Sequence, residues 1–527
     1  MRQTVEVFIP GDQSPSSPAM VQGTMSISTP EPALASTAPM PLDQYYRFMI
    51  GAARASDLLR ADVRSHFMLA QQEIGFQYIR FHGVFNDEMC VLDPKEDGTK
   101  YNFTYIDNVF DFLLGIGLKP FVELSFMPTA IASGQATVFF YRANVTPPRD
   151  YTLWGKLIEA FMRHIIARYS VGEVRTWYFE VWNEPNMPQF WAGSFDDYME
   201  LYRTTAASVK RVEPTCKVGG PTLNSFQYNN AKRYLVAFLS HCANAGLPVD
   251  FVSGHPYPAY YFSREGKWLE ALKGPNQTRE DAQWFRSAVL ASGYPDAEIH
   301  LDEWCNSSID RDLLHDTAFM AGFVLHNITN CAGLARSLTY WALTDLFEEK
   351  SLPVNEFHGG FGLISKSGFK KPAYYAYLYM SRLTGDVIDS GVNYVVAREG
   401  VCIRILAWNY CHYKGRYADG DKQLISYYDR YEAFDITEPI DFHFKLPAQN
   451  GGYVVEKVVF DREHGSVFDV WLKYGAIEYL TPNQLEIIKE QSIPYRKLSV
   501  CECKNGELEL LAHIEPFGFV FYEAQPL

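Results

Sequence analysis

Two strand-like segments of the sequence end on a glutamate. Glu184 closes the segment 176–184, and Glu303 lies near the end of the segment 298–304. Two carboxyl groups that face each other across a cleft are what hydrolysis of a glycosidic bond requires. One carboxyl must be protonated to give its proton to the leaving oxygen, and the other must be ionised to attack or stabilise the sugar centre. A salt bridge at the mouth of a barrel is the alternative for either glutamate alone, and the pair favours catalysis.

Other polar and aromatic side chains follow strand-like segments in the same way. Asn183 is placed to hydrogen-bond a sugar hydroxyl, and Trp341 offers a flat face to a sugar ring. Arg80 and Glu123 are expected to be ion-pair partners beneath the carboxylates, where a fixed cation would help to keep Glu303 ionised. Further candidates at strand ends are His82, His255, Tyr257 and Asp345. For His255 two roles stay open, a bond to a sugar hydroxyl and a bond to a barrel carboxylate.

Eight short apolar segments, each followed by a longer segment of helical period, must position these side chains. One such helical segment is 152–169, where apolar residues recur at helical spacing. A doubly wound sheet also alternates in this way, but the count of eight and the polar strand ends favour an α/β fold of the (β/α)8 TIM-barrel type, over residues 45–385. The eight segments are 47–53, 77–83, 120–126, 176–184, 216–222, 250–257, 298–304 and 336–345.

The two ends of the chain differ in character from this central part. Residues 1–44 combine a short strand, Val5–Ile9, with a linker rich in Ser and Pro at 11–43. Residues 386–527 read as strands separated by turns, which predicts a C-terminal all-β accessory domain, most simply a sandwich. The N-terminal strand could pair with that domain.

Composition and charge exclude several classes of function. The 527 residues carry a net charge of −15, which disfavours nucleic acid as a partner, and no apolar run is long enough to span a membrane. No secretory signal is recognisable and the nine cysteines form no framework, so we expect reduced thiols and a cytoplasmic location. No zinc or phosphate-loop motif occurs, so no metal or cofactor is expected. The expected partner is a small carbohydrate, and a homo-oligomer remains open.

Several motifs in order resemble glycoside hydrolase family 39. Asn-Glu-Pro after an aromatic fourth strand is similar to the clan of retaining (β/α)8 glycosidases whose acid/base and nucleophile end strands four and seven. The segments that carry the closer resemblance are Tyr78–Gly83, Phe121–Pro128, Phe179–Asn186, Phe190–Trp191, Tyr340–Trp341, Phe347–Glu349 and Phe357–Leu363. They cover the predicted barrel, whereas the β-rich tail fits only loosely.

The resemblance implies a role for each motif residue. Glu184 would be the general acid/base and Glu303 the nucleophile of a retaining enzyme. The implied sugar-binding residues are His82, Asn183, His255, Tyr257, Trp341, Glu348 and Glu349. The family contains β-xylosidases and α-L-iduronidases, and the stretch 186–191 resembles the xylosidase branch. The expected reaction is release of xylose from β-1,4-xylo-oligosaccharides.

Two alternatives to that reaction stay open at this stage. One is an α-L-iduronidase-like glycosidase, although Arg80 is the only basic residue at a strand end that could pair with a sugar carboxylate. The other is a sugar-binding protein without activity. The chain also departs from the family pattern at Cys305, where a small polar residue is expected, and packing is the favoured role for that cysteine.

Overall fold

The computed structural model describes most of the chain. The described residues are 3–8, 40–41, 44–93, 95, 98–224, 229–264, 267–347, 349–351 and 355–527. Most of the Ser- and Pro-rich linker expected at 11–43, and the candidate site residue Glu348, lie outside them.

Eight parallel strands close into a barrel at the centre of the molecule, which confirms the predicted fold class. Each strand pairs with the next along the chain, and the eighth returns to the first. The barrel strands, from first to eighth, are Met49–Arg54, Tyr78–His82, Lys119–Leu124, Tyr178–Val181, Lys217–Asn224, Phe251–His255, Glu298–Trp304 and Ser337–Tyr340. Every one of them overlaps a segment that the sequence marks as strand-like, because strands buried on both faces read as continuous apolar runs.

Helices pack around the barrel between successive strands. The helix Tyr151–Tyr169 buries one face, including Trp154 and Phe161, and the side chain of Asp150 caps its first turn. The helix Phe195–Val212 begins with a capping box. The barrel helices are Ala61–Glu73, Thr104–Gly115, Tyr151–Tyr169, Phe195–Val212, Asn229–Ala245, Gln277–Leu290, Phe319–Asn330 and Pro372–Arg382, with a short helix at Val171–Val174.

An aromatic plug fills the N-terminal end of the barrel. Phe121 and Tyr178 stack at 4.9 Å between ring centroids. Phe48, Phe251 and His300 pack edge-on against these two rings, and Phe48 is tilted against His300. This end is therefore a packed core, so polar side chains that point into the barrel near the other end of the strands face the open mouth.

Two mainly antiparallel sheets, formed mostly by residues that follow the barrel in the sequence, share one hydrophobic core. The larger sheet contains, in spatial order, Met40–Pro41, Asp386–Gly391, Tyr394–Glu399, Cys402–Trp408, Phe519–Pro526, Gly451–Phe460 and Tyr495–Cys503. The smaller contains Gln3–Phe8, Ile440–Pro447 and Glu507–Ile514. The strand Gln3–Phe8 runs parallel to Ile440–Pro447, so the N-terminal segment does join this sheet pair.

Shorter elements complete the described structure. Three helices, Gly415–Ala418, Val467–Lys473 and Pro482–Gln491, interrupt the strands of the C-terminal part. Two-stranded pairs are formed by Thr137–Val138 with Ala143–Asn144, by Ala259–Arg264 with Lys267–Leu272, and by His412–Tyr413 with Phe434–Asp435. The division of the chain at residue 385 stays a prediction. Within the described residues, no helix combines the length and apolarity that crossing a membrane would need.

Candidate active site

Glu184 lies just beyond the end of the fourth barrel strand in an unusual backbone conformation. Its φ is +47°, in the left-handed region that a residue with a side chain rarely occupies, and Trp182 has a φ of +71°. The amide N–H of Glu184 donates to the carbonyl of Thr222 at 3.0 Å, which ties this turn to the fifth strand. A backbone conformation of this kind costs free energy, and it is typical of functional sites that require a side chain in one exact orientation.

Glu303 enters the same space from the seventh strand. Its Oε1 accepts a hydrogen bond from Nη1 of Arg80 at 2.7 Å, and its Oε2 accepts one from the hydroxyl of Tyr257 at 3.1 Å. Burial raises the pKa of Tyr257 well above its usual value, so this hydroxyl remains a donor. Both oxygens of Glu303 are therefore held by named donors, which fixes the orientation of the carboxylate.

His255 stands between the two glutamates. Its Nδ1 is 2.7 Å from Oε1 of Glu184 and 3.5 Å from Oε2 of Glu303. One side-chain atom from each of these three residues lies within 4.8 Å of the other two, so the carboxyl groups are close neighbours. Among the described residues, Glu184, His255 and Glu303 also form the group whose spacing would suit a metal ion. Nδ1 of His255 and Oε1 of Glu184 share one hydrogen bond, which either the imidazole N–H or a protonated Glu184 carboxyl can donate.

Arg80 forms the centre of a buried network under the pair. Its guanidinium contacts Glu180 at 2.6 Å, Glu123 at 2.7 Å, Glu303 at 2.7 Å and Asp302 at 3.2 Å. Arg80, Glu123, Glu180 and Asp302 are all fully buried. The structure thus confirms the ion-pair role expected for Arg80 and Glu123. One cation shared by four carboxyl groups leaves an excess of buried negative charge.

His82 and Asn183 connect this network to the mouth of the barrel. Nδ1 of His82 is 2.7 Å from Glu123, and its Nε2 is 3.6 Å from Glu303. The Oδ1 of Asn183 accepts from Arg80 at 2.9 Å, so its amide nitrogen is left as a donor toward the cavity. These contacts hold both side chains in one orientation.

The two glutamates experience different electrostatic surroundings. Burial, followed by the negative charge of Glu303, raises the pKa of Glu184 well above its usual value. Burial raises the pKa of Glu303 too, but the adjacent Arg80 cation opposes that rise. Burial and the charge of Arg80 hold the pKa of His255 well below its usual value, so this imidazole is neutral. The pKa is therefore raised further at Glu184 than at Glu303, which Arg80 bonds directly.

A cavity of about 970 Å³ opens above the pair. Its described lining residues are His82, Val138, Phe139, Asn183, Glu184, Asn186, Met187, Gln189, Phe190, Asn224, Asn230, Ala231, Tyr257, Tyr261, Glu303, Ser308, Trp341, Glu349 and Phe361. The resemblance implies a catalytic or sugar-binding role for nine residues, and seven of those nine are among the lining residues. His255 is not among them, and it bonds a carboxyl group, which is one of the two roles left open for it.

Glu349 lies at the edge of this cavity and is partly exposed. Burial of the carboxyl among its neighbours raises its pKa well above the usual value, and the nearby carboxyl groups of Asp310, Glu303 and Glu184 add to the rise.

Trp341 is buried and packs against His82 at 4.8 Å between centroids, with one part of its ring on the cavity. Cys305, where the sequence departs from the family pattern, is fully buried 3.5 Å from the hydroxyl of Tyr340, as expected for packing.

Several lining residues carry no signal that sequence reasoning could use. Phe139 lies in the loop between the two-residue strands after the third barrel strand, and Tyr261 lies on the hairpin after the sixth. The side chain of Asn224, at the end of the fifth strand, hydrogen-bonds the Glu184 carboxyl. For Asn224 a signal existed, because it ends a barrel strand, whereas loop residues follow no period.

Comparisons with known proteins agree with this geometry. The family model described as "Glycosyl hydrolases family 39" matches residues 34–509. A β-xylosidase of Caldicellulosiruptor saccharolyticus is 34% identical over 488 residues, which cover 91% of this chain and 95% of that one. A β-xylosidase of Geobacillus stearothermophilus is 33% identical over 469 residues, 85% of this chain and 87% of that one. The crystal structure of a monomeric β-xylosidase from Caulobacter crescentus superposes with a TM-score of 0.85 at 29% identity and covers 93% of this chain and 98% of that one.

Proposed function

The chain belongs to glycosyl hydrolase family 39, and we propose that it is a retaining exo-β-xylosidase that releases xylose from β-1,4-xylo-oligosaccharides. The observation that carries the proposal is the close approach of two buried carboxyl groups in unlike surroundings. Atoms of Glu184 and Glu303 lie within 4.8 Å of each other. Retaining glycosidases need about 5–5.5 Å between their carboxyl groups, whereas inverting enzymes need about 6.5–9.5 Å to admit a water molecule.

The reaction would proceed in two displacements. In the first, Glu303 attacks the anomeric carbon while Glu184 gives its proton to the leaving oxygen, so a glycosyl–enzyme ester forms and an alcohol departs. In the second, Glu184 takes a proton from water, whose oxygen displaces Glu303 and yields xylose of unchanged configuration. Arg80 and Tyr257 hold the carboxylate of Glu303 for attack, and His255 shares a hydrogen bond with Glu184.

The charge of the cavity supports a neutral sugar as the glycone. Among the described lining residues there is no lysine or arginine, while Glu184, Glu303 and Glu349 contribute three carboxyl groups. The carboxylate of an iduronide would meet the ionised Glu303 here, with no lysine or arginine among the described lining residues to pair with, which costs free energy. The iduronidase alternative is therefore disfavoured, and family membership together with the arranged pair disfavours a sugar-binding protein without activity.

An assay against aryl glycosides tests this proposal. The purified protein should release the aryl group from a β-xyloside faster than from an α-arabinoside, a β-glucoside or an α-iduronide. Proton NMR of the first product should show the β-anomer of xylose before mutarotation. Preferred cleavage of the iduronide would move the protein to the other branch of the family, and α-xylose as the first product would contradict the retaining mechanism.

A further inference from the structure

The cavity consists of two parts that differ in chemistry. Its deep part is formed by strand ends and carries the charged and hydrogen-bonding residues around Glu184 and Glu303. Its outer part is formed by segments that follow strands three to six. We name this outer part the apolar rim, and it comprises Val138, Phe139, Met187, Phe190, Ala231 and Tyr261.

The apolar rim lies on the side where a leaving group would depart. Its members follow strands three, four, five and six, so they are centred on the strand that carries Glu184, the proton donor. Glu303, by contrast, comes from the seventh strand. In an enzyme of this type the leaving group lies beside the acid, and the released sugar lies over the nucleophile.

Phe139 is held firmly in this rim. Its ring stacks near His82 at 6.0 Å and meets Phe190 edge-on at 5.3 Å between centroids. The backbone N–H of the next residue, Phe140, donates to the carbonyl of Glu349 at 2.6 Å and so fastens this loop to the segment after the eighth strand. The ring is therefore positioned before any ligand arrives, which lowers the entropic cost of binding.

Some polar groups near the rim are engaged with one another, and the exposed side chains of Gln189 and Asn230 also line the cavity. The hydroxyl of Tyr261 bonds Ser308 at 2.6 Å. The side-chain amide of Asn186 donates to the carbonyl of Asn224 at 2.9 Å and accepts from its backbone N–H at 3.3 Å. The six rim side chains themselves offer ring faces and aliphatic groups against which an alkyl chain can bury apolar surface, whereas polar atoms of a leaving group that are buried there without partners cost free energy.

We propose that the leaving-group side of this cavity is built for an apolar aglycone, so that β-xylosides of apolar alcohols are cleaved in preference to those of polar alcohols of equal size. This inference rests on the proposed β-xylosidase function. The cavity volume of about 970 Å³ supports it. Pockets of about 300–1,000 Å³ accept drug-sized ligands, so there is room for a large aglycone beside one pentose.

A series of alkyl β-xylosides tests the inference, because simple primary alcohols are leaving groups of similar acidity. From the methyl to the heptyl xyloside we expect kcat/KM to rise about three- to fourfold for each methylene that the rim buries. The matched polar substrate is the xyloside of 2-(2-methoxyethoxy)ethanol, which has the length of heptanol but two ether oxygens. It should be cleaved at least about tenfold less efficiently than the heptyl xyloside, the equivalent of two buried methylenes.

Failure of the inference and failure of the proposed function give different results. If xylose is released from xylobiose and from every alkyl xyloside, but kcat/KM does not rise with chain length, the aglycone inference is wrong and the xylosidase function stands. If no xyloside in the series is cleaved, the proposed function itself is wrong.

Two neighbouring phenylalanines provide a matched pair of variants. Phe139 lines the cavity, whereas Phe140 is 61% exposed and is not among the lining residues. Phe139→Ala should lower the ratio of heptyl to methyl kcat/KM about tenfold, and Phe140→Ala should leave that ratio unchanged. The ratio is the readout because a general loss of folding or of catalysis lowers both substrates together. Equal ratios in the two variants would overturn the inference.

Discussion

The deep part of the cavity and its apolar rim are built on opposite principles. In the deep part, Arg80 serves four carboxyl groups, so the position and charge of each group depend on the others. In the rim, the side chains interact through dispersion forces and the burial of apolar surface. Such packing tolerates moderate changes in side-chain shape. Substitutions in the deep part should therefore alter the rate of the reaction on every substrate, whereas substitutions in the rim should alter the preference among substrates.

The largest loss of activity is expected from removal of the nucleophile. Glu303→Ala should lower kcat by about 10⁴-fold or more on every substrate, because the covalent intermediate can no longer form. Steady-state kinetics with an aryl β-xyloside measures this, with thermal unfolding as the control for folding. A loss confined to one leaving group would contradict the assignment of Glu303.

Loss of the acid should depend on the leaving group. Glu184→Ala should slow xylobiose by about 10²–10⁴-fold, the usual contribution of general acid catalysis, and an activated aryl xyloside much less in its first step, because that leaving group needs little protonation. A plot of rate against the acidity of the leaving group measures the difference. A uniform loss across leaving groups would show that Glu184 is not the acid.

Removal of the buried cation should cost stability as well as activity. Arg80→Met leaves four carboxyl groups without their cation, so we expect a loss of about 3–5 kcal/mol in the free energy of unfolding. Denaturant titration at neutral pH measures it. Since Arg80 lowers the pKa of Glu303, the acidic limb of the pH profile should move to higher pH in a variant that still folds. An unchanged stability would argue against the network as described.

The pH profile should report the unlike surroundings of the pair. Activity needs Glu303 ionised, so kcat/KM should rise as pH passes through the pKa of Glu303, and it needs Glu184 protonated, so it should fall as pH passes the higher pKa of Glu184. Glu184→Gln, assayed with an activated aryl xyloside, should lose the basic limb and keep the acidic one. Persistence of the basic limb would assign it to another group.

The smallest effect in the deep part is expected at Asp302. Burial and the charge of the neighbouring Glu180 raise its pKa well above the usual value, and Glu180 is also its hydrogen-bond partner. A proton shared between the two carboxyl groups accounts for both facts. Asp302→Asn, which is neutral and of equal size, should change kcat/KM by less than about threefold. Asp302→Ala is the control. Its kcat/KM should fall further than that of Asp302→Asn, because alanine removes the hydrogen-bond donor to Glu180.

Sequence reasoning recovered the barrel because its strands are buried on both faces. Segments such as 77–83 and 298–304 overlap the barrel strands Tyr78–His82 and Glu298–Trp304, and their polar ends bring Arg80, Glu184 and Glu303 together. These side chains could be predicted to lie close together, because the carboxyl ends of the parallel strands in a closed barrel surround one mouth.

The rim could not be predicted in the same way. Phe139 lies in a loop whose course depends on long-range contacts, such as the backbone bond from Phe140 to Glu349. Tyr261 lies on a hairpin inserted after the sixth strand, and no period distinguishes it from other apolar strands. The sharing of Arg80 among four carboxyl groups was equally out of reach, because spacing along a chain does not reveal how many partners a buried cation has.

The central claim is that Glu303 forms a covalent bond to the sugar while Glu184 manages the proton. The most direct test is to incubate the protein with an activated 2-deoxy-2-fluoro-β-xyloside, whose glycosyl–enzyme ester is slow to hydrolyse, and to locate the adduct by mass spectrometry of peptides. The account predicts one fluoroxylosyl group per chain, attached to Glu303 and absent from Glu303→Ala. An adduct on a different carboxyl group, or turnover of β-xylosides that yields α-xylose without any adduct, would contradict it.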